Sequence, residues 1–330
     1  MEFGLLLPHF GEYADRDRVI GGAQLAEREG FDSVFVRDHM MFEPHGEFEK
    51  PDNTFFEAFT TLTAIGASTE RIKLGTGSLI PFRHPIHTAL ITGTMSNLFP
   101  GRLILGMGSG NSDRQFEQVG LGGVFRPALV ESNANILKRL WSETDVAYSD
   151  EHYTFEEVTV RPQPPVDIPF WYCGNTPKSA RMAVDFADGW LPGRIGLATL
   201  EQRVETLQTR SAEQGKPCPT VGIIPSASVE ATRQEALSTV NVDGLLAWAN
   251  HARFWVKPPS GTFETVEDLA GVLLVGTPEQ VAEQAVALHR AGVQHLVFDT
   301  RLKFQRWYEQ IEMFAREVIP LVKREITSGS

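Results

Sequence analysis

The sequence Arg-Glu-Gly-Phe-Asp-Ser-Val-Phe-Val at residues 28–36 joins the end of a helix to a buried strand. Apolar residues recur at helical spacing through 15–29, and Gly30 is suited to end that helix because glycine readily adopts a left-handed conformation. The run 33–36 is apolar and partly β-branched, which is typical of a strand. Near the other end of the chain, Arg-Ala-Gly-Val-Gln-His-Leu-Val-Phe at 290–298 repeats the order of helix, glycine and strand.

Between these two stretches, short apolar runs alternate with helical patterns. Strands are predicted at 3–7, 33–36, 72–79, 103–107, 170–173, 189–191, 221–224 and 295–298. Helices are predicted at 15–29, 55–68, 87–99, 129–141, 179–186, 199–214, 277–292 and 304–323. Strands that are apolar on both faces and alternate with helices indicate a parallel sheet covered on both sides. The sequence therefore predicts an α/β fold, a (β/α)₈ TIM barrel.

The composition shows no break between domains, so we expect one barrel domain over 1–327. Two insertions are expected, a hairpin at about 145–166 and a longer segment at about 230–274 near the barrel mouth, with a short tail at 328–330. The main alternative is a doubly wound sheet with a second domain, which calls for a GxGxxG loop after an early strand. The glycine-rich turn here ends in Asn111 where the third glycine would fall and follows the fourth strand, so a dinucleotide-binding loop is not supported.

Charge and cysteine content narrow the partners and the compartment. The formal net charge is −12 and no Lys/Arg cluster is present, so nucleic acid and anionic membranes are poor partners. The two cysteines form no CxxC pair, the first residues lack a signal peptide, and no apolar run is long enough to span a membrane; we expect a cytoplasmic protein. No metal-ligand set and no GxSxG serine elbow occur, so neither a metal site nor a serine hydrolase is predicted.

Candidate functional residues follow the strands, because barrel enzymes place their chemistry there. His9 follows the first strand and is either a ligand contact or a loop histidine. Asp38-His39 follows the second strand. A carboxylate beside an imidazole suits proton transfer, although the same pair can be purely structural.

Small residues follow the third and fourth strands. Thr76, Gly77 and Ser78 end the third strand, where glycines indicate either close approach to a ligand or tight packing. Ser109, Gly110 and Asn111 follow the fourth strand and would let a flat ligand lie close to the backbone. The next residues, Ser112 and Asp113, are better explained as N-caps of a helix.

A third group of candidates suits an anion. Gly174, Asn175 and Thr176 lie between the fifth strand and a helix, and the free N–H groups of a helix N-terminus bind anions. After the sixth strand, Gly193-Arg194 could complete a phosphate clamp, because the guanidinium is planar and always charged. The alternative for residues 174–176 is that they only begin an ordinary capped helix and bind no anion.

With these residues in view, the chain resembles the bacterial luciferase-like superfamily of flavin- and deazaflavin-dependent oxidoreductases, the luciferase-like monooxygenase family. The matching stretches are 3–8, 26–39, 71–85 with Leu-Gly-Thr-Gly, 100–110, 153–169, 171–192 with Ala-Asp-Gly-Trp, and 276–292. Each motif is loose, but their order and spacing together are specific. The resemblance implies a (β/α)₈ barrel, a homodimer and a flavin-type ring in the barrel mouth.

The resemblance also assigns roles to residues. It implies a non-prolyl cis peptide near Gly77-Ser78 behind the ring, an active-site histidine at His39 beside Asp38, and a cofactor phosphate site at 174–176 with Gly193 and Arg194. One position departs from the pattern. Asn111 stands where sugar-phosphate dehydrogenases of the family have an acidic residue, and an amide cannot donate a proton as a carboxylic acid does, which weakens that specific assignment.

The resemblance favours an oxidoreductase that uses the deazaflavin coenzyme F-420 for hydride transfer to or from a small organic substrate. The alternative is an FMN-dependent monooxygenase that uses reduced flavin, oxygen and a partner reductase. A non-catalytic flavin-binding barrel and a phosphate-binding barrel isomerase are further alternatives. Substrate contacts are expected at 40–53 and 230–274, where the resemblance is weakest.

Overall fold

The computed structural model describes residues 1–41 and 54–328 and contains a closed barrel. Its strands in chain order are β1 (Glu2–Leu6), β2 (Ser33–Val36), β3 (Lys73–Thr76), β4 (Leu103–Gly108), β5 (Val146–Ser149), β6 (Thr154–Val158), β7 (Phe170–Cys173), β8 (Gly189–Trp190), β9 (Thr220–Ile223), β10 (Ser226–Val229), β11 (Leu273–Gly276) and β12 (His295–Phe298). Eight of the described strands form the barrel in the order β1-β12-β9-β8-β7-β4-β3-β2, and every neighbouring pair is parallel. The predicted (β/α)₈ fold and all eight predicted barrel strands are confirmed.

Helices surround the barrel and connect its strands. In the described ranges they are α1 (Gly22–Arg28), α2 (Ala58–Ser68), α3 (Pro85–Leu98), α4 (Asp113–Gln118), α5 (Arg126–Ser142), α6 (Pro177–Phe186), α7 (Leu197–Gln214), α8 (Arg233–Leu237), α9 (Val242–His251), α10 (Pro278–Arg290), α11 (Trp307–Met313) and α12 (Ile319–Ser328). A π-helical turn precedes α1 and another joins α11 to α12. None of these helices is both long and apolar enough to cross a bilayer.

Aromatic side chains fill the barrel where the facing strands carry glycine. The rings of Phe35, Trp171 and His295 lie 5.4–6.3 Å apart, centroid to centroid. A Cβ at Gly75 would come within 2.5 Å of the Phe35 ring, and one at Gly189 within 2.4 Å of the Trp171 indole. The large rings on some strands therefore require glycine on the neighbouring strands, and together they fill the interior of the barrel.

Polar side chains tie the first and last strands together at the N-terminal end of the barrel. Glu2 accepts from Lys73 Nζ at 2.6 Å and lies 3.1 Å from His295 Nδ1. On its other side, His295 Nε2 lies 2.6 Å from the Ser33 hydroxyl. The His295 hydrogen bond, with Lys73, holds the pKa of Glu2 at about 2. This chain of contacts links β1, β2, β3 and β12 where the sheet closes.

The hairpin expected at about 145–166 is present as the antiparallel pair β5–β6. Its turn is built on Asp150, which accepts hydrogen bonds from the backbone N–H groups of His152 and Tyr153 at 2.7 and 2.8 Å. Aspartate bonds of this kind stabilise tight turns, which explains the acidic stretch between the two strands.

The segment 230–274 differs from expectation at its end. It contains α8 and α9 as helical pieces, but Leu273 and Leu274 begin β11, which pairs in parallel with β10 beside the barrel. Both strands are fully buried. Their pairing partners lie far apart in sequence, so local periodicity does not reveal a second small sheet.

Candidate active site

The carboxyl ends of the barrel strands surround a cleft of about 450 Å³. Its walls come from segments that follow β2, β3, β4, β7, β8 and β9, as parallel barrels place their sites. The predicted site residues that line it are Asp38, His39, Gly77, Ser78, Ser109, Gly110, Asn111, Gly174, Asn175, Thr176 and Gly193. Most of the residues singled out from the sequence therefore meet in one cavity, although they come from widely separated parts of the chain.

His39 lines this cleft and is held from behind by Gln115. The Nε2 atom of the Gln115 amide lies 3.2 Å from His39 Nδ1, and the imidazole also packs edge-on against Phe55 at 5.2 Å between ring centroids. Gln115 is almost fully buried, and its Oε1 accepts from the backbone N–H of Met40 at 3.2 Å. The ring is thus fixed in orientation by contacts on α4 and on the loop ahead of α2.

Asp38 forms a buried ion pair with Arg83. The guanidinium donates to both carboxylate oxygens, at 2.7 and 2.9 Å, and the backbone N–H of Ile80 donates at 3.0 Å. The Asp38 side chain is 2% exposed. The sequence left two interpretations of Asp38-His39 open, a pair suited to proton transfer and a purely structural pair. These contacts of Asp38 are structural, because they connect the loop after β2 to the loop after β3.

The backbone around β3 and β4 forms the floor of the cleft. The peptide bond between Gly77 and Ser78 is cis, at the position that the sequence resemblance implied. A Cβ at Gly106 would lie 2.1 Å from the Thr76 carbonyl oxygen, and one at Gly108 would lie 2.7 Å from Ser78 Oγ. Gly106 and Gly108 of β4 are therefore explained by close packing against β3.

The N-terminus of α6 opens onto the same cleft. Thr176 is its N-cap and accepts from the backbone N–H of Ser179 at 3.1 Å, with Pro177 in the first turn. The Trp190 indole donates to the Gly174 carbonyl at 2.8 Å and so holds this loop from β8. Across the cleft, Gly193 has a φ of 72°, and a Cβ there would meet no atom within 4 Å. This side of the cavity has room and N–H groups for an anion.

A second chamber of about 290 Å³ adjoins the cleft and shares Asn111, Asn175 and Gly193 with it. Its walls include the guanidinium groups of Arg37, Arg194 and Arg301. Asp299 is fully buried and accepts from Arg194 Nη2 at 3.0 Å and from Arg301 Nε at 2.7 Å. Burial and the nearby positive charge of Arg37 both disfavour the charged form of Arg301 and lower its pKa. A polar or anionic group bound in the chamber would offset this unfavourable positive charge, so the chamber favours such a group.

Three predicted site residues lie elsewhere than the cleft. His9 is completely buried: its Nε2 accepts from the Arg37 backbone N–H at 3.0 Å, and its Nδ1 lies 2.9 Å from the Leu7 carbonyl oxygen. Thr76 is buried and donates to the Gly106 carbonyl at 2.8 Å. Arg194 lines the second chamber beside Asp299 rather than the loop before α6. The first two hold the backbone, and the third belongs to a different part of the cavity.

Several residues that line the two cavities were not predicted from the sequence. They are Arg37, Ile80, Tyr172, Cys173, Leu191, Ile224, Trp248, Asp299 and Arg301. One signal was available: Asp-Thr-Arg at 299–301 ends the last strand with charged residues, as Arg-Asp-His ends β2. The apolar residues carry no comparable signal, since nothing local separates a cleft wall from ordinary core. Burial raises the pKa of the Cys173 thiol, so that group is neutral.

Curated proteins with similar sequences cover almost the whole chain. The F-420-dependent glucose-6-phosphate dehydrogenase of Beutenbergia cavernae is 27% identical over 327 residues, which are 94% of this chain and 95% of that protein. The enzyme of the same name from Nakamurella multipartita is 24% identical and covers 93% of both chains.

Solved structures share the fold. An F-420-dependent secondary alcohol dehydrogenase in complex with an F-420–acetone adduct superposes with a TM-score of 0.80 at 19% identity, covering 97% of this chain and 98% of that one. Monooxygenase RslO1 from Streptomyces bottropensis gives 0.78 at 21% identity, with 97% and 99% covered. At family level, the luciferase-like monooxygenase profile matches residues 1–295. With a barrel of the same architecture and a profile match over most of its length, the chain belongs to the luciferase-like monooxygenase family.

Proposed function

We propose that this protein is an oxidoreductase that uses the deazaflavin coenzyme F-420 to transfer a hydride between the coenzyme and a small organic substrate. The observation that carries the proposal is that His39, the Gly77-Ser78 cis peptide and the N-terminus of α6 meet in one cleft at the strand ends. Full-length relatives named as F-420-dependent dehydrogenases support the choice of coenzyme.

The residues of the cleft fit such a coenzyme. A flat ring needs a narrow slot with apolar walls, and Ile80, Leu191 and Ile224 provide these beside the Gly77-Ser78 floor. A phosphate needs N–H donors and space, which the loop Gly174–Thr176 and the open position at Gly193 provide. When bound, the coenzyme supplies a ring carbon that carries a hydride.

The side chains of the protein would bind and orient the substrate and polarise its reacting oxygen. His39 would contact the reacting oxygen of the substrate from the cleft wall. Asp38 would fix the position of the loop after β2 relative to the loop after β3, through its contacts with Arg83 and the Ile80 backbone. The arginine-lined chamber beside the cleft would take the remainder of the substrate, and its charge favours a polar or anionic group there.

The assembly and setting that go with this function are a homodimer in the cytoplasm, with a separate reductase that returns the coenzyme to its working redox state. Support for the homodimer comes from the family resemblance. Support for the compartment comes from two cysteines that form no disulfide in the described chain.

The first experiment is a pair of titrations of purified apo-protein with coenzyme F-420 and with FMN, followed by quenching of protein fluorescence. Tight binding of F-420 alone supports the proposal. Tight binding of FMN alone, with substrate-dependent oxygen uptake, replaces it with a monooxygenase. Binding of neither overturns the coenzyme site.

A matched pair of variants tests the location of that site. Gly193→Leu and Gly215→Leu both place a side chain at a glycine of positive φ, 72° and 61°, where a Cβ meets no atom within 4 Å. Gly215 ends α7, outside both cavities. The first variant should lose F-420 binding and the second should keep it. Equal affinity in the two variants would place the coenzyme elsewhere.

A further inference from the structure

The stretch Ala-Asp-Gly-Trp at 187–190 forms β8 and the two residues before it, and none of its residues lines either cavity. Asp188 accepts from the first backbone N–H of β7 at 2.9 Å. Gly189 leaves room for Trp171, since a Cβ there would lie 2.4 Å from that indole. These two residues are explained by the way β8 packs against β7, which leaves Trp190 to be explained.

Trp190 is fully buried and reaches the loop that follows β7. On the barrel it is paired with Tyr172, near the end of that strand. Its indole Nε1 donates to the carbonyl oxygen of Gly174 at 2.8 Å. An indole N–H can only donate, so the contact requires the carbonyl to point at the indole. The bond therefore fixes the direction of the Gly174 carbonyl.

The same bond sets the direction of a backbone N–H. The Gly174 carbonyl and the Asn175 N–H belong to one trans peptide unit, in which the two groups point in opposite directions. Because the carbonyl points back at the buried indole, the N–H points away from it, to the side on which Asn175 lines the cleft. Within residues 1–41 and 54–328, no group accepts from this N–H.

Contacts with α6 hold the rest of the loop. Ser179 Oγ donates to the Thr176 carbonyl oxygen at 2.7 Å, and the Ser179 N–H donates to Thr176 Oγ1 at 3.1 Å. A Cβ at Gly174 would lie 2.9 Å from Ser179 Cβ, so the loop packs directly on the first turn of the helix. The carbonyl oxygens of Gly174 and Thr176 are thus both bonded within the protein, which leaves the Asn175 N–H as a group of this loop that can bind a ligand.

We propose that Trp190 is a positioning residue of the coenzyme site: its indole turns the Asn175 N–H towards the cleft, where that N–H binds the phosphate of coenzyme F-420. The inference rests on the proposed function and deepens it by naming the residue that orients one of the phosphate donors. Trp190 itself touches neither coenzyme nor substrate. Without its N–H, the 174–175 peptide loses the bond that holds its orientation, and the donor is no longer pre-organised for an anion.

Trp307 provides a matched control. Its indole is 1% exposed and donates to the Arg18 carbonyl oxygen at 2.9 Å, away from both cavities. Trp190→Phe and Trp307→Phe therefore each delete a buried indole N–H that donates to a backbone carbonyl, and both should lower the Tm by a similar amount. Isothermal titration calorimetry should show weaker F-420 binding in Trp190→Phe alone, by about 10- to 100-fold, the size of one hydrogen bond to a charged group.

A phosphate-free deazaflavin, the coenzyme's ring with its ribityl chain alone, separates positioning from general distortion of the cleft. Trp190→Phe should bind this compound as tightly as the wild type does, because the affected donor serves the phosphate. Equal affinity of Trp190→Phe and Trp307→Phe for F-420 overturns the proposal. An equal loss of affinity for F-420 and for the phosphate-free compound also overturns it.

Inorganic phosphate tests the inference without the coenzyme. At equal ionic strength, sodium phosphate should raise the Tm of the wild type and of Trp307→Phe above its value in sodium chloride, and should raise that of Trp190→Phe less. The same rise in all three proteins overturns the inference. If F-420 fails to bind the wild type, the proposed function is wrong, and Trp190 keeps its role only if this difference in phosphate is observed.

Discussion

His9 and His39 follow neighbouring strands, and both were candidates for contact with a ligand. The structure buries His9 between the rings of Phe10 and Phe55, with centroids 5.2 and 4.9 Å away, whereas His39 remains on the cleft wall. Phe55, from another loop, packs against both imidazoles, and Phe10 covers His9 in addition. A single sequence shows which residue follows a strand, but it does not show which of two such residues is covered.

Replacing His9 by Gln tests its buried role through pH. Burial lowers the pKa of His9 from 6.5 to about 3, so between these pH values His9 is protonated in the unfolded chain but neutral in the folded protein. Its contribution to stability is therefore present above pH 6.5 and is lost as the pH falls from 6.5 to about 3, by about 1.4 kcal/mol per unit. Urea unfolding at several pH values should show a shallower loss in His9→Gln, and parallel curves for the two proteins would contradict the assignment.

Arg83→Met tests the ion pair that fastens the loops around the cleft. Removing the guanidinium leaves the Asp38 carboxylate buried without its main partner, which should lower the free energy of unfolding by about 3–5 kcal/mol. Glu57 also pairs with Arg83, at 2.7 Å, but is 45% exposed. Glu57→Gln is therefore a control that should cost at most about 1 kcal/mol. Adding Asp38→Asn to Arg83→Met should recover part of the loss.

At the scale of the element, α6 and α10 begin in the same way. Each has a threonine N-cap followed by proline, and each threonine accepts from the backbone N–H three residues later. Only Thr176, at the start of α6, lines the cleft. Comparing the two threonines therefore distinguishes the effect of losing a helix cap from the effect of losing a contact with a ligand.

Thr176→Val and Thr277→Val form a matched pair. Each should lose about 1 kcal/mol of stability because the helix loses its side-chain cap. Only Thr176→Val should also weaken F-420 binding, by roughly three- to tenfold for one hydrogen bond. Thermal unfolding and fluorescence titration measure the two effects, and equal affinities in the two variants would remove Thr176 from the coenzyme site.

The elements of the barrel could be predicted because each one is specified locally. Helical spacing, terminal glycines and apolar runs are local signals, and the eight strands of the barrel match the predicted ones. What escaped prediction depends on long-range contact: β10 meets β11, Arg83 reaches Asp38 from 45 residues away, and Gln115 reaches His39 from 76 residues away. The strand ends were enough to predict which residues line the candidate cleft, but not which residues those side chains contact.

At the scale of the whole molecule, the proposed homodimer predicts a particle of about 73 kDa, twice the chain mass of 36.6 kDa. Leu90 and Leu98 are 42% and 60% exposed on α3 and, eight residues apart, lie on one face of it. If this face is the interface, Leu90→Glu/Leu98→Glu should give a monomer by light scattering. Phe254→Glu, at an exposed residue outside α3, is the control and should leave the dimer intact.

The contact between β1 and β12 has a consequence for synthesis. Residues 2–5 pair with 295–298, so a ribosome must synthesise the chain from the first of these segments to the second before the sheet can close. Until then, one edge of β1, with Phe3 and Leu5, is an open template for pairing with other chains. A nascent chain held at that stage is a natural client for chaperones. A premature stop codon before His295 should therefore produce inclusion bodies rather than a protein that merely lacks one strand.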